Sequence, residues 1–168
     1  TLSPQNLGID WLHACSLGAW RYLLGEFLWC LVTKGAWPTG GPPSVQREFA
    51  VSQLKAEIST WYQAESRRGR IHSRITDLRV SMFGSDGRRE LGTHGAETNG
   101  LVEFARSALD KHGHVFTDAD FRSWQRALDT ALGILTLLRS HAMRFKPADI
   151  QRFSDLTLAH LQAIRRLG

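Results

Sequence analysis

The sequence predicts a mainly α fold: a four-helix-bundle-type domain with a small β-ribbon and an additional C-terminal helix. Three observations carry this. Phe121, Trp124, Leu128, Ala131, Leu135, Leu138, Ala142 and Phe145 recur at steps of three and four, the repeat of one face of a long helix. Trp11 to Val32 is apolar nearly all round, as in a helix enclosed by others or held in a subunit contact. Breaks rich in Gly and Pro separate the helical blocks, with no internal repeat or long linker between them. At 168 residues, 42% hydrophobic and 22% charged, the chain is the size of one domain, 1–168, and buries enough apolar surface to offset its ordering entropy.

The first helix runs from about Asp10 to Thr33. Lys34 to Pro38 and then Gly40-Gly41-Pro42-Pro43 end it, because Gly and consecutive Pro cannot continue the hydrogen-bond ladder. Ser44 is a suitable N-cap for a second helix with an apolar stripe of Val51, Leu54, Ile58 and Trp61 and a polar face carrying Arg47 and Lys55. A short loop makes the two an antiparallel hairpin. From Arg67 to Arg89 the period changes. Leu78, Val80 and Met82 alternate with polar residues, and Ser85-Asp86-Gly87 supplies a tight turn, which predicts the β-ribbon. Arg67, Arg68, Arg70, Arg74, Arg79, Arg88 and Arg89 in this stretch are expected to form a solvated basic face. Gly92 to Gly100 has almost nothing to bury and reads as a mobile surface loop.

A third helix begins at Leu101, with Ala105 and Ala108 or Leu109 on the same face, and stops at Gly113. The fourth starts at Thr117, an N-cap followed by Asp118 and Asp120, whose carboxylates suit the positive end of the helix dipole. It carries the long stripe and ends before Pro147. The last, from about Ala148, carries Ile150, Phe153, Leu161, Ile164 and Leu167, with Arg165-Arg166 at its negative end.

The longest clean apolar run, Phe27 to Val32, is far too short to span a bilayer, so no membrane association is expected. No secretory leader pattern opens the chain. Cys15 and Cys30 lie about 22 Å apart along one helix at 1.5 Å per residue, cannot bridge each other, and read as buried free thiols in a reducing compartment. Neither an enzyme nor a cofactor is expected. His112-Gly113-His114 lacks neighbouring Cys and the helical spacing of metal ligands, so no metal site is expected there. Asp110 to Phe121 lacks the sixth-place Gly and twelfth-place Glu of a calcium loop. The prolines of Gly40 to Pro43 remove the amide donors that a phosphate cradle requires.

The net charge is +5, and 17 Arg against four Lys favour a partner rich in phosphate or carboxylate, onto which the guanidinium forks. Arg126 and Asp129, at i and i+3, share a helix face beside Trp124 and Leu128 and are expected to form a half-buried pair. Lys111, His112 and His114 close the third helix, so antiparallel third and fourth helices bring basic and acidic groups to one end of the bundle.

With these residues in place the sequence resembles the coat proteins of rod-shaped helical RNA viruses of the tobamovirus type. Leu101-Val102, Ala108-Leu109-Asp110 and His112-Gly113-His114 are similar to that family's Leu-Val, Ala-(Leu/Phe)-Asp and basic-x-basic turn; Arg126 to Asp129 matches its Arg-x-x-Asp. Arg152-Phe153-Ser154-Asp155, with Leu156 and Leu158, partly matches an Arg-Phe-Glu-like stretch, and the opening helix pair ends at a Trp, here Trp61. His stands where the family's turn has Arg, and the connection through Val115 and Phe116 is shorter than the family's inner loop.

The resemblance implies a structural capsid protein that assembles many copies into a helical rod or filament around single-stranded RNA, in virions and the host cytoplasm. Sequence-independent packaging needs phosphate contacts and no base code. Arg126 is the expected phosphate contact and Asp129 its orienting partner, with Lys111, His112, His114 and Arg47 as further RNA-binding neutralisers. Asp118 and Asp120, facing like charges across subunits, would loosen the rod when ionised and make assembly favour mildly acidic pH. A second reading is a cellular helical adaptor or regulatory domain that binds a protein partner through its apolar, Trp-rich N-terminal helix. A third, a small-molecule or haem-type sensor bundle, rests only on the Trp and scattered His.

Overall fold

The computed structural model describes residues 12–85, 87–140 and 147–165. It is mainly helical, with five α-helices: α1 (Trp20–Thr33), α2 (Pro43–Arg67), α3 (Gly95–His112), α4 (Asp118–Ser140) and α5 (Pro147–Arg165). A helical segment, Leu12–Ala19, is kinked at Gly18 before it leads into α1, so the helix expected to run unbroken to Thr33 is interrupted there, and short 3-10 turns occupy Val80–Phe83 and Gly113–Val115. The sequence expectations for Asp10, Trp11, Asp86, Ala142, Phe145, Arg166 and Leu167 lie outside the described residues.

α1 is enclosed, as its all-round apolar sequence requires. Trp20, Leu24, Phe27, Leu28 and Leu31 are fully buried, each such side chain contributing about 1.5–3 kcal/mol by transfer from water. Phe27 packs edge-on to Trp124 of α4 at 5.3 Å and stacks on Phe116 at 6.1 Å. α1 ends at Thr33, where Lys34 N–H donates to the Cys30 carbonyl and Gly35 turns the chain at positive φ. α1 packs on α2 and α3, α3 on α4, and α4 on α5, and one core draws on all five helices.

α2 begins one residue before the expected cap. Pro42 is its N-cap and Pro43 its first helical residue, whose fixed φ and missing N–H suit that place; Ser44 therefore lies inside the first turn. Its stripe holds, with Val51, Leu54 and Ile58 buried and Trp61 half-buried. α4 also starts as expected, the Asp120 N–H donating to Thr117 Oγ1 at 3.2 Å, and Trp124, Leu128, Ala131 and Leu135 are buried. On α5 the buried positions are His160 and Ala163, whereas Ile150 and Leu161 of the expected stripe face outward. α4 and α5 meet closely at Gly133, where a Cβ would lie 3.0 Å from Leu156.

Two expectations for the middle of the chain are overturned. Among the described residues the β-ribbon is not formed as strands: the only pairing is a bridge between Ser85 and Arg88, next to the Val80–Phe83 turn. The extended chain before it packs on helices instead. Leu78 and Phe83 are buried, and Phe83 meets Trp29 of α1 at 5.5 Å. Tertiary burial has overridden the alternating pattern. Nor is Gly92 to Gly100 a surface loop. α3 starts at Gly95, led by a His94 N–H bond to Glu97 at 2.8 Å. Leu91, Thr93, Thr98 and Gly100 are buried, with the Thr93 and Thr98 hydroxyls bonded at 2.9 Å. Small residues look as if they bury little, but they let backbones approach. At Gly25 of α1 a Cβ would stand 2.4 Å from the Arg89 carbonyl oxygen, and the neighbouring Leu91 N–H donates to the Arg21 carbonyl at 3.0 Å.

Candidate nucleic-acid interface

Asp129 does not pair with Arg126. Its Oδ1 accepts from Arg106 Nε of α3 at 2.6 Å, and the same guanidinium reaches Asp110 one turn along α3. Arg106 is the less exposed base, and α3 and α4 lie side by side there, so a cross-helix bond replaces the expected intrahelical one. Arg126 stands exposed on α4 and has no ion-pair partner among the described residues. Arg122, one turn earlier on the same face, shares this condition; sequence reasoning missed it, although the i, i+4 arginine spacing could have found it.

Lys111 and His112 are taken up by Glu57 of α2. Lys111 Nζ lies 2.8 Å from Glu57 Oε1, His112 Nε2 lies 3.0 Å from Oε2, and Trp37 Nε1–H donates to Oε1 at 2.8 Å. Partial burial raises the Glu57 carboxyl, but the bonds from Lys111, His112 and Trp37 outweigh it and hold the group below the usual carboxylate range. His112 is only 5% exposed, with its ring 4.8 Å from that of Trp37, so it cannot face a polyanion. Both residues thus join a clasp within the chain, His112 buried and Lys111 still largely exposed. It ties the loop after α1 to α2 and to the end of α3. His114 remains exposed, its ring 6.2 Å from His112.

The acidic residues at this end are also engaged within the chain. Asp120 accepts from Lys34 Nζ at 3.3 Å, and that ammonium lies 5.5 Å from the Phe116 ring centroid. Asp120 is therefore not a bare charge awaiting a like neighbour, whereas Asp118 is exposed and has no ion pair among the described residues. Arg47 is exposed in the first turn of α2, its Nε donating to the Pro43 carbonyl at 3.2 Å, which leaves its charge unneutralised. No hydrogen bond or ion pair among the described residues joins Arg47 to the other five expected RNA contacts.

The arginines from Arg67 to Arg88 are solvent-exposed, as expected, but several of them also have partners within the chain. Arg68 and Arg70 bond Glu65, Arg79 pairs with Asp77, and Arg88 bonds the Tyr22 hydroxyl and Glu90. Arg89 covers the Trp29 ring at 4.2 Å. Arg70, Arg88 and Arg89 fasten the irregular segment to α2 and α1, whereas the Arg79 pair is local to the segment. The cationic surface without internal partners is narrower, and Arg122 and Arg126 on α4 are its adjacent members.

Cys15 and Cys30 are free and half-buried, and burial raises both thiols, the opposite of an activated nucleophile. No protein-family model, curated protein or solved structure matches the chain.

Proposed function

We propose that the chain is a structural capsid protein that self-assembles into a helical rod or filament and packages single-stranded RNA through sequence-independent phosphate contacts. In this reading α1 to α4 are the four-helix unit, α5 is the addition, and the protein resides in virions and the host cytoplasm.

The observation that carries it is the pair Arg122 and Arg126: exposed, one helical turn apart, and without a carboxylate partner among the described residues. Because Arg106 takes Asp129, the Arg126 guanidinium keeps its full positive charge for phosphate. Arg47 and His114 add exposed positive or protonatable groups; Lys111, His112 and Asp129 belong to the scaffold.

Assembly has its own support. Besides Tyr22 and Ile71, which stand singly, the exposed large apolar side chains among the described residues fall on two elements, Val45 and Phe49 at the start of α2, and Ile150, Leu158 and Leu161 on α5. Two unlike patches suit a head-to-tail contact, which propagates into a filament unless its rotation closes. The adaptor reading has less to work with, since Trp20 to Thr33 spends its apolar surface on the core and leaves Tyr22 as its one exposed large hydrophobic residue.

The test is negative-stain electron microscopy of the protein with and without single-stranded RNA across about pH 5 to 8, followed by nuclease digestion. Rods holding protected RNA are expected. Small oligomers that leave RNA digestible at every pH would defeat the reading.

A further inference from the structure

We infer that Glu65, His72 and Glu103 form a binding site for a transition-metal ion, with Zn²⁺ the species that fits their chemistry. The inference stands apart from RNA packaging and uses none of the residues assigned to it.

Three elements bring the ligands together. Glu65 ends α2, His72 follows the turn at Gly69, and Glu103 projects from α3. One ligand atom from each lies within 4.8 Å of the other two. Two carboxylate oxygens and an imidazole nitrogen form a donor set that zinc accepts, with water completing four-coordination.

His72 Nε2 and Glu65 Oε2 face each other at 3.5 Å. Both atoms are sealed from solvent; His72 Nε2 makes no aligned hydrogen bond, and Glu65 Oε2 has only the close approach of the Arg70 guanidinium, so the imidazole nitrogen keeps buried polar capacity unused. Two ligands bound tetrahedrally at about 2.0–2.1 Å sit roughly 3.4 Å apart, so the observed gap of 3.5 Å matches the separation that a shared ion requires.

The imidazole is held ready. Its ring lies 4.7 Å from Trp61 and 6.3 Å from Tyr62, and a Cβ at Gly100 would come within 3.4 Å of His72 Nδ1. The carboxylates are oriented from behind. Arg68 and Arg70 donate to Glu65 Oε1 at 3.0 and 2.9 Å, and Arg139 bonds Glu103 Oε1. Arg70 Nε also lies 2.6 Å from Glu65 Oε2, so guanidinium and metal would share that oxygen's two lone pairs.

The arginines also repel a cation, which disfavours Ca²⁺ and Mg²⁺, held by charge and oxygen alone, relative to an ion that bonds well to nitrogen. Glu103 and Arg70 line an open cleft of about 720 Å³ between α3 and α4, so the Glu103 side of the ligand set borders solvent. Bound there, a metal would fasten the segment after α2 to α3.

The test uses the full chain, stripped of metal with a chelator and then titrated with Zn²⁺ by calorimetry and with Co²⁺ by visible absorption. Expected are one equivalent of Zn²⁺, intense four-coordinate Co²⁺ bands, a Tm raised by Zn²⁺ and no response to Ca²⁺. His72→Asn and Glu103→Gln should each weaken binding at least tenfold. Glu103 is half-buried, and its amide variant, checked by circular dichroism, guards against loss of fold as the cause. No stoichiometric uptake by the wild-type chain, or uptake by folded Glu103→Gln as tight as wild type, would overturn the site.

Discussion

Arg106 of α3 holds Asp129 of α4, Nε to Oδ1 at 2.6 Å, and thereby leaves Arg126, three residues from that carboxylate on its own helix, without an internal counter-ion. The relationship separates an arginine engaged within the chain from the one proposed to bind phosphate. Arg126→Ala should change stability by no more than about 0.5 kcal/mol, whereas Arg106→Ala should cost about 0.5–1 kcal/mol. Only the first should lower RNA retention, and losing Arg122 as well should reduce the slope of log K against log salt by about 0.7 per removed contact. Denaturant titration and filter binding at several salt concentrations measure both.

The Glu57 clasp should show in acid. Its carboxyl is held low in the folded chain, so its contribution is fully present above the ordinary value of 4.5 and is lost as pH falls through the lower folded value, because the unfolded chain takes the proton first. Glu57→Gln leaves Lys111 and His112 without their charged acceptor and should cost about 1–3 kcal/mol at pH 7. Its stability profile between about pH 3 and 5 should be flatter than that of the wild type, as thermal melts across that range would reveal.

His160 sets a second pH dependence of related sign. Burial between α4 and α5 pushes its imidazole below the ordinary 6.5, only partly offset by its bond to the Ala127 carbonyl at 3.1 Å. Below pH 6.5 the unfolded chain binds a proton that the folded chain resists, so stability should fall by up to about 1.4 kcal/mol per pH unit until the folded value is reached. His160→Gln should remove that dependence, read by urea unfolding at about pH 7.5, 6.5 and 5.5.

Two glycine substitutions should behave oppositely. Alanine gains about 1 kcal/mol in a helix interior, yet at Gly25 its Cβ would press on the Arg89 carbonyl at 2.4 Å and the Leu91 nitrogen at 3.0 Å, backbone atoms that cannot step aside. Gly25→Ala should therefore destabilise by about 1–3 kcal/mol. At Gly133 the neighbour is the flexible end of Leu156, and Gly133→Ala should be neutral to within about 1 kcal/mol. Midpoints of chemical unfolding decide both.

If the outward face of α5 joins copies of the chain, Leu158→Asp with Leu161→Asp should abolish rods while leaving the circular dichroism spectrum and Tm of the isolated subunit unchanged. Both side chains are more than half exposed, so folding does not depend on them. Rods of normal length from the double variant would place the lateral contact elsewhere.

The sequence by itself determined where α2 and α4 run and where α1 stops. The stripe from Phe121 to Leu138, the all-round apolar Trp20 to Val32, the stop at Lys34-Gly35 and the Thr117 cap are properties of neighbouring residues, and the structure keeps each of them. What only the tertiary structure decided is how charges and small residues are used. Arg106 finds Asp129, Glu57 collects Lys111 and His112, and Glu65 meets His72 and Glu103 because particular helices lie side by side. Likewise Gly25, Thr98 and Gly100 turn an apparent loop into a buried helix start only when another backbone comes close. Periodicity records which face of a helix is apolar; an ion pair or a close approach depends on what stands opposite that face, which residues distant in the chain supply.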